Sequence, residues 1–495
     1  MAIKRAARAK GDHDGHIDLL GFAPDADLDI PGACSVMDGA VPTTRGWRAA
    51  PSLDYTNRYF STFAAGGTIG GINYFPDLNF VMYHTKTKVW TGRLGFAISD
   101  VTGSHTIAST GDQYAFPATS LGQDIVISPG TPTLMLIPAL GATISPITGS
   151  PIASHLVAAS RFVMAFGNDG NTNGWKCCAR DNAQSWTLSP ATQCAKGILA
   201  DDNVSGIRAA VAFGDDVVAF KTDRAYVGRY TPNNVEVWVW ELSRINKGAL
   251  YGRTAVKYEQ GILFLSHDNL YFYDGSNLIG LMDERMSAWY SERVVHGQSA
   301  AGIVVDEVTD LIYVRVQLYA IDSGTITRHL FICEPKTKRW SLWNGPPVFA
   351  IGRGPAMYPG SASAFAPRAM GTRVWLSQDS VTDSLRTPRE IAAPATAAAV
   401  AQIVTNDFGD AFMDMELTRA SLKFTKAPTG TSPSATGMVR NSLDAALTTL
   451  SPVTRAPDGL FDIRQNARWH RLKFDLQGDW ELGGYAVDAK PVGVR

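Results

Sequence analysis

Gly261-Ile-Leu-Phe-Leu-Ser-His-Asp-Asn-Leu-Tyr-Phe-Tyr-Asp-Gly275 is the stretch whose reading decides the fold. Ile262–Leu265 is a short apolar run of branched and aromatic residues, Asp268-Asn269 supplies a turn, and Leu270–Tyr273 is a second run closed by Asp274-Gly275. Two such runs with a tight polar break between them predict a β-hairpin. The plan recurs upstream as Ala210–Phe213, a turn at Gly214–Asp216, Val217–Lys221, Thr222-Asp223 and Arg224–Tyr230. It recurs downstream as Gly302–Val305, a turn through Asp306–Asp310, and Leu311–Leu318. Repeated meanders of this kind predict the blades of a β-propeller, in which each sheet covers the apolar face of the next.

Two units separated by about 250 residues carry a second repeat. Phe80–Tyr83, Thr85-Lys-Thr-Lys88 and Val89-Trp90 read strand, turn, strand, and Leu330–Cys333, Pro335-Lys-Thr-Lys338 and Arg339-Trp340 repeat the order. At roughly 40–45 residues per blade the interval predicts about six blades over residues 51–388. Residues 100–150, rich in Gly, Thr and Pro, read as an irregular insertion. Asp181–Trp186 is similar to a degenerate Asp-box, a structural turn of several propellers, with Ala179 and Ala183 at two of its positions.

The flanks differ in character. Residues 1–16 read as a disordered basic arm, and from Ile17 to Pro51 Asp, Pro and Gly recur with few periodic runs. Residues 1–50 are therefore expected to be an extended arm laid on a neighbouring subunit or ring, since they cannot build a core of their own. Residues 391–401 are Ala-rich, a short helix or a linker. Beyond them Trp469, Arg471, Lys473 and Asp475 alternate with His470, Leu472, Phe474 and Leu476, as in a half-buried antiparallel strand. Residues 389–495 are expected to form a separate β-sandwich-like module, and the whole chain to be all-β.

Composition narrows the function classes. A formal net charge of −1 argues against a general nucleic-acid binder. The charged fraction of 18% is low, and 45% hydrophobic residues are ample for a large core. The five cysteines, Cys34, Cys177, Cys178, Cys194 and Cys333, include no Cys-x-x-Cys pair and are expected to be free, mostly buried thiols of a chain folded in a reducing cytoplasm. No apolar core follows the basic N-terminus, so it does not read as a secretory signal. Pro132, Pro138 and Pro146 break up the apolar stretch near Thr133–Leu140, which is not a membrane span.

Catalytic signatures are missing: no Gly-x-Ser-x-Gly elbow, no His-Glu-x-x-His, no phosphate loop and no EF-hand spacing. His13 and His16 with Asp12, Asp14 and Asp18 have the composition of a metal cluster but sit in the arm. Asp201-Asp202, Asp215-Asp216 and Asp283-Glu284 are the paired acids a glycosidase needs, and His267-Asp268 is an acid–base pair. All fall in turns, where Asp is ordinary. Arg339-Trp340 and Arg468-Trp469 have the chemistry to stack on a base or sugar, but packing along a strand is the preferred account of both pairs. No catalytic, cofactor-binding or metal residue is assigned, and no cofactor is expected.

Segments at both ends resemble a known family. Leu20-Gly-Phe-Ala-Pro-Asp-Ala-Asp27, Pro31-Gly32 and Val41-Pro-Thr-Thr-Arg-Gly-Trp-Arg-Ala-Ala-Pro51 resemble the opening of the β-propeller tail nozzle proteins (tail tubular protein B type) of short-tailed bacteriophages. Arg468-Trp-His-Arg-Leu-Lys-Phe474, Gly478-Asp-Trp480, Gly484-Tyr-Ala-Val-Asp488 and Pro491-Val-Gly-Val-Arg495 resemble the family's ending, with Trp469 where it has Tyr. The Asp181–Trp186 turn, the Gly261–Gly275 hairpin and Ala288-Trp-Tyr290 stand in similar order between them. Residues 95–155 and 425–455 have no counterpart in the pattern.

The resemblance implies a mechanical role. Copies form a ring, a hexamer in the family, below the portal and the adaptor (head-to-tail connector). The ring meets tail fibre, spike or needle proteins, and double-stranded DNA passes through it without sequence recognition. The implied location is the virion tail, after synthesis in the host cytoplasm. A neutral or weakly acidic lining suits such a conduit, because a basic one would hold phosphates. The family carries no catalytic residues. Two alternatives share the fold: a receptor-binding or scaffold propeller of the virion, and a sialidase- or glycosidase-like enzyme.

Overall fold

The computed structural model describes residues 16–494 except 28–29, 56–68, 86, 94–97, 106, 108–115, 131–132, 139–141, 200–204, 251–252, 297–300, 321–322, 345–347, 356–371, 379–388 and 394–399. The basic segment 1–15 thus lies outside the described residues. Within them the chain is all-β apart from one short α-helix, Ser287–Arg293, and two 3₁₀ turns.

Seven four-stranded antiparallel units follow one another: blade 1 at 71–100, blade 2 at 118–146, blade 3 at 155–198, blade 4 at 209–242, blade 5 at 255–280, blade 6 at 302–342 and blade 7 at 348–393. Six are separate sheets. Blade 6 runs on into a larger sheet, and blade 7 takes its outermost strand, Ser52–Tyr55, from the N-terminal side. The quoted hairpin is the centre of blade 5, with Leu263 opposite Phe272 and Leu265 opposite Leu270.

Apolar side chains fill each space between blades. Phe80 and Met82 meet Ile125 and Met135 between blades 1 and 2; Phe220 and Phe264 pack at 4.6 Å between blades 4 and 5. Tyr313 and Leu376 join blades 6 and 7, and Tyr83 stacks on Trp375 between blades 1 and 7. The succession of interfaces returns to its start, which is the arrangement of a β-propeller.

Three expectations are corrected. The supposed insertion at 100–150 contains a blade. Its strands, Ala118–Leu121, Asp124–Ile127, Met135–Ile137 and Ser145–Pro146, are too short and too often flanked by proline to show period-two alternation. Hence seven units stand where the spacing gave about six. The Ala-rich segment starts as a strand of blade 7, Arg389–Ala393, not as a helix or linker; residues 394–399 lie outside the described residues.

The described part of the N-terminal segment is extended and pairs with strands of its own chain. Ile17–Asp18 pairs with Tyr485 and Gly484, Ala33–Asp38 with Val400–Thr405, and Gly46–Ala49 with Glu481 and Leu482. The C-terminal module supplies the core that this segment lacks. Its two sheets face one another. One holds Met413–Lys426, Leu460–Ala467 and Glu481–Val494; the other holds Val400–Thr405, Trp469–Gln477 and Ser434–Arg440. Leu417, Phe461, Leu472, Phe474 and Trp480 are buried between them. In Trp469–Gln477 the alternation is the one read from sequence, His470, Leu472, Phe474 and Leu476 inward. Gly21–Phe22 and Ala33–Asp38 also bring the N-terminal segment onto blade 6, where Asp38 pairs in parallel with Leu342.

Candidate functional site

Propellers place ligands at the mouth of the central axis, so the innermost strands come first. Arg253 stands just before the innermost strand of blade 5, Ala255–Tyr258. Its guanidinium crosses the axis: Nη1 donates to the Ile72 carbonyl of blade 1 at 3.3 Å, and Nη2 donates to the Phe116 carbonyl, between blades 1 and 2, at 3.0 Å. Among the described residues no carboxylate pairs with it. Burial pulls the guanidinium down to about 10. Beside it His84 is fully buried, stacks on Phe116 at 4.1 Å and accepts the Phe116 backbone N–H on Nε2 at 3.0 Å. Burial, then the Arg253 charge, holds His84 well below the usual imidazole range. The imidazole is neutral, with Nε2 as acceptor.

A second arginine bridges the axis at another level. Arg353, on the innermost strand of blade 7, donates from Nη2 to the Lys257 carbonyl of blade 5 at 3.4 Å. Among the described residues, two arginines thus reach across the axis to backbone carbonyls.

Among the described residues, the acids singled out in the sequence do not gather there. Asp216 opens the second strand of blade 4, just after the Gly214-Asp215 turn, with Arg229 at 3.6 Å; burial raises its carboxyl above the usual range. The carbonyl of Asp215 accepts the Ser160 hydroxyl at 2.7 Å. Asp268 lies in the turn between the second and third strands of blade 5, hence on the opposite face of the propeller. It receives Lys247 at 2.5 Å and the Tyr271 hydroxyl at 2.8 Å, both on Oδ2. Burial pushes this carboxyl up, but the two donors outweigh it and hold it below its ordinary value. His267 lies 3.4 Å from the neighbouring Ser266 hydroxyl, with the His296 ring 6.1 Å away. Asp283 is bound by Arg285 two residues on, and Glu284 is exposed. Asp216, Asp268 and Asp283 are thus held by neighbouring side chains, and Glu284 faces solvent.

Other candidates resolve as packing. His16 pairs with Asp18 at 2.8 Å; Asp12, His13, Asp14, Asp201 and Asp202 lie outside the described residues. Trp340 is buried and donates its indole N–H to the Leu281 carbonyl at 3.0 Å, while Arg339 donates to the Thr43 carbonyl. Neither presents a free stacking face. Arg468 approaches Asp414 at 3.8 Å, and Trp469 is half-buried opposite Arg440. Trp186 of the Asp-box-like turn is buried and bonds the Ala183 carbonyl at 2.9 Å. All five cysteines are free and buried, and burial pushes Cys177 and Cys178 up to about 12, which makes them poor nucleophiles.

The axial arginines were not anticipated from the sequence. A signal was present: Gly252-Arg253 and Gly352-Arg353-Gly354 place Gly-Arg at the innermost strands of two blades.

No protein-family model matches the chain, and no curated protein matches it in sequence. Among solved structures it is similar to BamB from Moraxella catarrhalis (10% identity, TM-score 0.34), over 69% of this chain and 97% of that one. The Dos1 propeller is similar at 9% identity and a TM-score of 0.36, over 71% of this chain and 92% of that one. The N-terminal domain of Nup159 is similar at 8% identity and a TM-score of 0.31, over 72% and 99%. At this level of similarity, strand order and pairing carry the fold assignment.

Proposed function

We propose that the chain is a structural subunit of a short-tailed phage tail, a nozzle whose copies form a ring, probed first as a hexamer, below the portal and adaptor. DNA is retained and released through the opening between copies. The subunit performs no catalysis, and its partners are other copies of itself, the connector above and the fibre, spike or needle proteins around it.

One observation carries the reading. The two groups of motifs that resemble the nozzle family are far apart in the sequence, yet they meet in one module: the Ala49 backbone N–H donates to the Trp480 carbonyl at 3.0 Å, and Gly46–Ala49 pairs on Glu481–Val494, the strand that carries Gly484–Asp488. Motifs that fold together are what a shared building block requires. The arginines that bridge the propeller axis support the same reading, because they favour a passage for a polymer between subunits. A net charge of −1 suits a lining that does not retain phosphates.

The test is the mass of the purified chain over a range of concentrations, followed by its mixture with phage connector complexes. A ring-sized species that caps the connector is expected. A monomer at every concentration that leaves the connector unbound contradicts the proposal. Cleavage of a capsular polysaccharide, lost on replacing one of the acids above, would establish the enzyme alternative instead.

A further inference from the structure

Three close contacts converge on Gly71-Ile72, where blade 1 begins. From blade 7, Gly352 lies so near that a Cβ on it would stand 2.3 Å from the Ile72 carbonyl oxygen. A Cβ on Gly71 would stand 2.2 Å from His84 Nε2 and 3.0 Å from Arg253 Nη2. From blade 5, Arg253 itself donates to the carbonyls of Ile72 and Phe116. Glycine at 352 lets the blade 7 backbone approach that of Ile72, and glycine at 71 leaves room for the His84 ring and the Arg253 guanidinium beside it. The exchanged strand Ser52–Tyr55 is remote from this point, since it pairs only on the outer strand of blade 7.

We propose that Arg253 is the latch of the propeller, a positioning residue that closes the ring at the junction of blades 7 and 1 by holding the start of blade 1 across the axis. A planar guanidinium has parallel donors that reach two carbonyls from different segments at once, which a lysine ammonium on a flexible stem does not reproduce. A buried cation without a carboxylate is unfavourable unless polar groups take the place of water, and the Ile72 and Phe116 carbonyls do so. The neutral state of His84 belongs to the same design, because an imidazolium beside the guanidinium would repel it. The closure serves the fold whatever the protein's role, so it stands apart from the nozzle reading.

The experiment is native-state amide exchange, read by mass spectrometry on the full chain and its variants. Arg253→Lys and Arg253→Met are expected to raise exchange tenfold or more in peptides covering 69–84 and 348–355, with blade 4 (209–230) and the sandwich strand 469–477 unchanged. Gly71→Ala, which crowds His84 and Arg253 without removing either, is expected to loosen the same peptides, and it replaces Arg253→Met if that variant does not fold. Unchanged exchange at the junction, or a rise spread evenly over all blades, overturns the latch.

Discussion

Blade 4 and the C-terminal sandwich use the same strand chemistry but are wired in opposite ways. In blade 4, Ala209–Phe213, Asp216–Phe220, Ala225–Tyr230 and Trp238–Leu242 pair in sequence order through short turns. In the sandwich, Glu481–Val494 lies between Met413–Lys426 and the N-terminal strand Gly46–Ala49, so the sheet cannot form until both chain ends are present. The first is a product of local pairing and the second of long-range closure, where loop entropy must be overcome before any contact forms. The propeller is therefore expected to tolerate changes at the chain ends that dismantle the sandwich.

The largest effect tests that division directly. Removing residues 481–495 withdraws the partner of Met413–Lys426 and the anchor of the N-terminal strands. Exchange in 400–477 should approach that of an unfolded chain, while blades 3 to 5 keep their protection. Retained protection in 400–477 would show that the sandwich does not depend on its long-range strand.

A point substitution sharpens the contrast within the sandwich. Asp407, 2% exposed at its side chain, receives Arg471 at 3.2 Å on Oδ1 and 2.8 Å on Oδ2, and Arg440 as well. Asp407→Asn leaves two largely buried guanidiniums without their shared counter-charge and should cost about 3 kcal/mol. Denaturant titration monitored at the sandwich tryptophans gives the value; a loss below 1 kcal/mol would mean that solvent already screens the trio.

The propeller should instead report acid. Burial holds His155, at the start of blade 3, at about 4 against 6.5 in the unfolded chain. The unfolded state then binds more protons between those values, so stability is full above about pH 6.5 and falls as pH drops towards 4. The loss is roughly 3 kcal/mol. His84 acts in the same direction. His155→Gln should flatten part of this slope in blade 3, measured as melting temperature against pH, and an unchanged slope would remove His155 as its source.

Much of this could be read beforehand, and the reasons for the rest are physical. The strands Gly261–Leu265 and Leu270–Tyr273 announce themselves because both partners and their turn fit within fifteen residues. Ile17–Asp18 and Gly21–Phe22 are two residues long and show no period, and their meaning comes from Tyr485 and Cys34, which only the fold brings near. Blade 2 was hidden by prolines. At the axis, Gly-Arg was visible twice, but the carbonyls that receive each arginine belong to blades whose positions depend on the closed ring. Asp268 and Glu284 lie in turns as read, whereas Asp216 opens the second strand of blade 4, paired with Phe213.

Those acids mark the smallest effects. Asp216→Asn and Glu284→Gln should each change stability by less than about 0.5 kcal/mol, as exposed or screened positions do, and leave assembly and infectivity intact. A thousandfold loss of some activity in either variant would show catalytic work and favour the enzyme alternative.

Imaging the assembled protein by electron cryomicroscopy tests the central claim most directly. The prediction is a closed ring in which several copies together border an opening that admits a double helix, with Arg253 and Arg353 bridging the axis of every propeller. Isolated subunits throughout, or polymer density threading the axis of a single propeller, would contradict it.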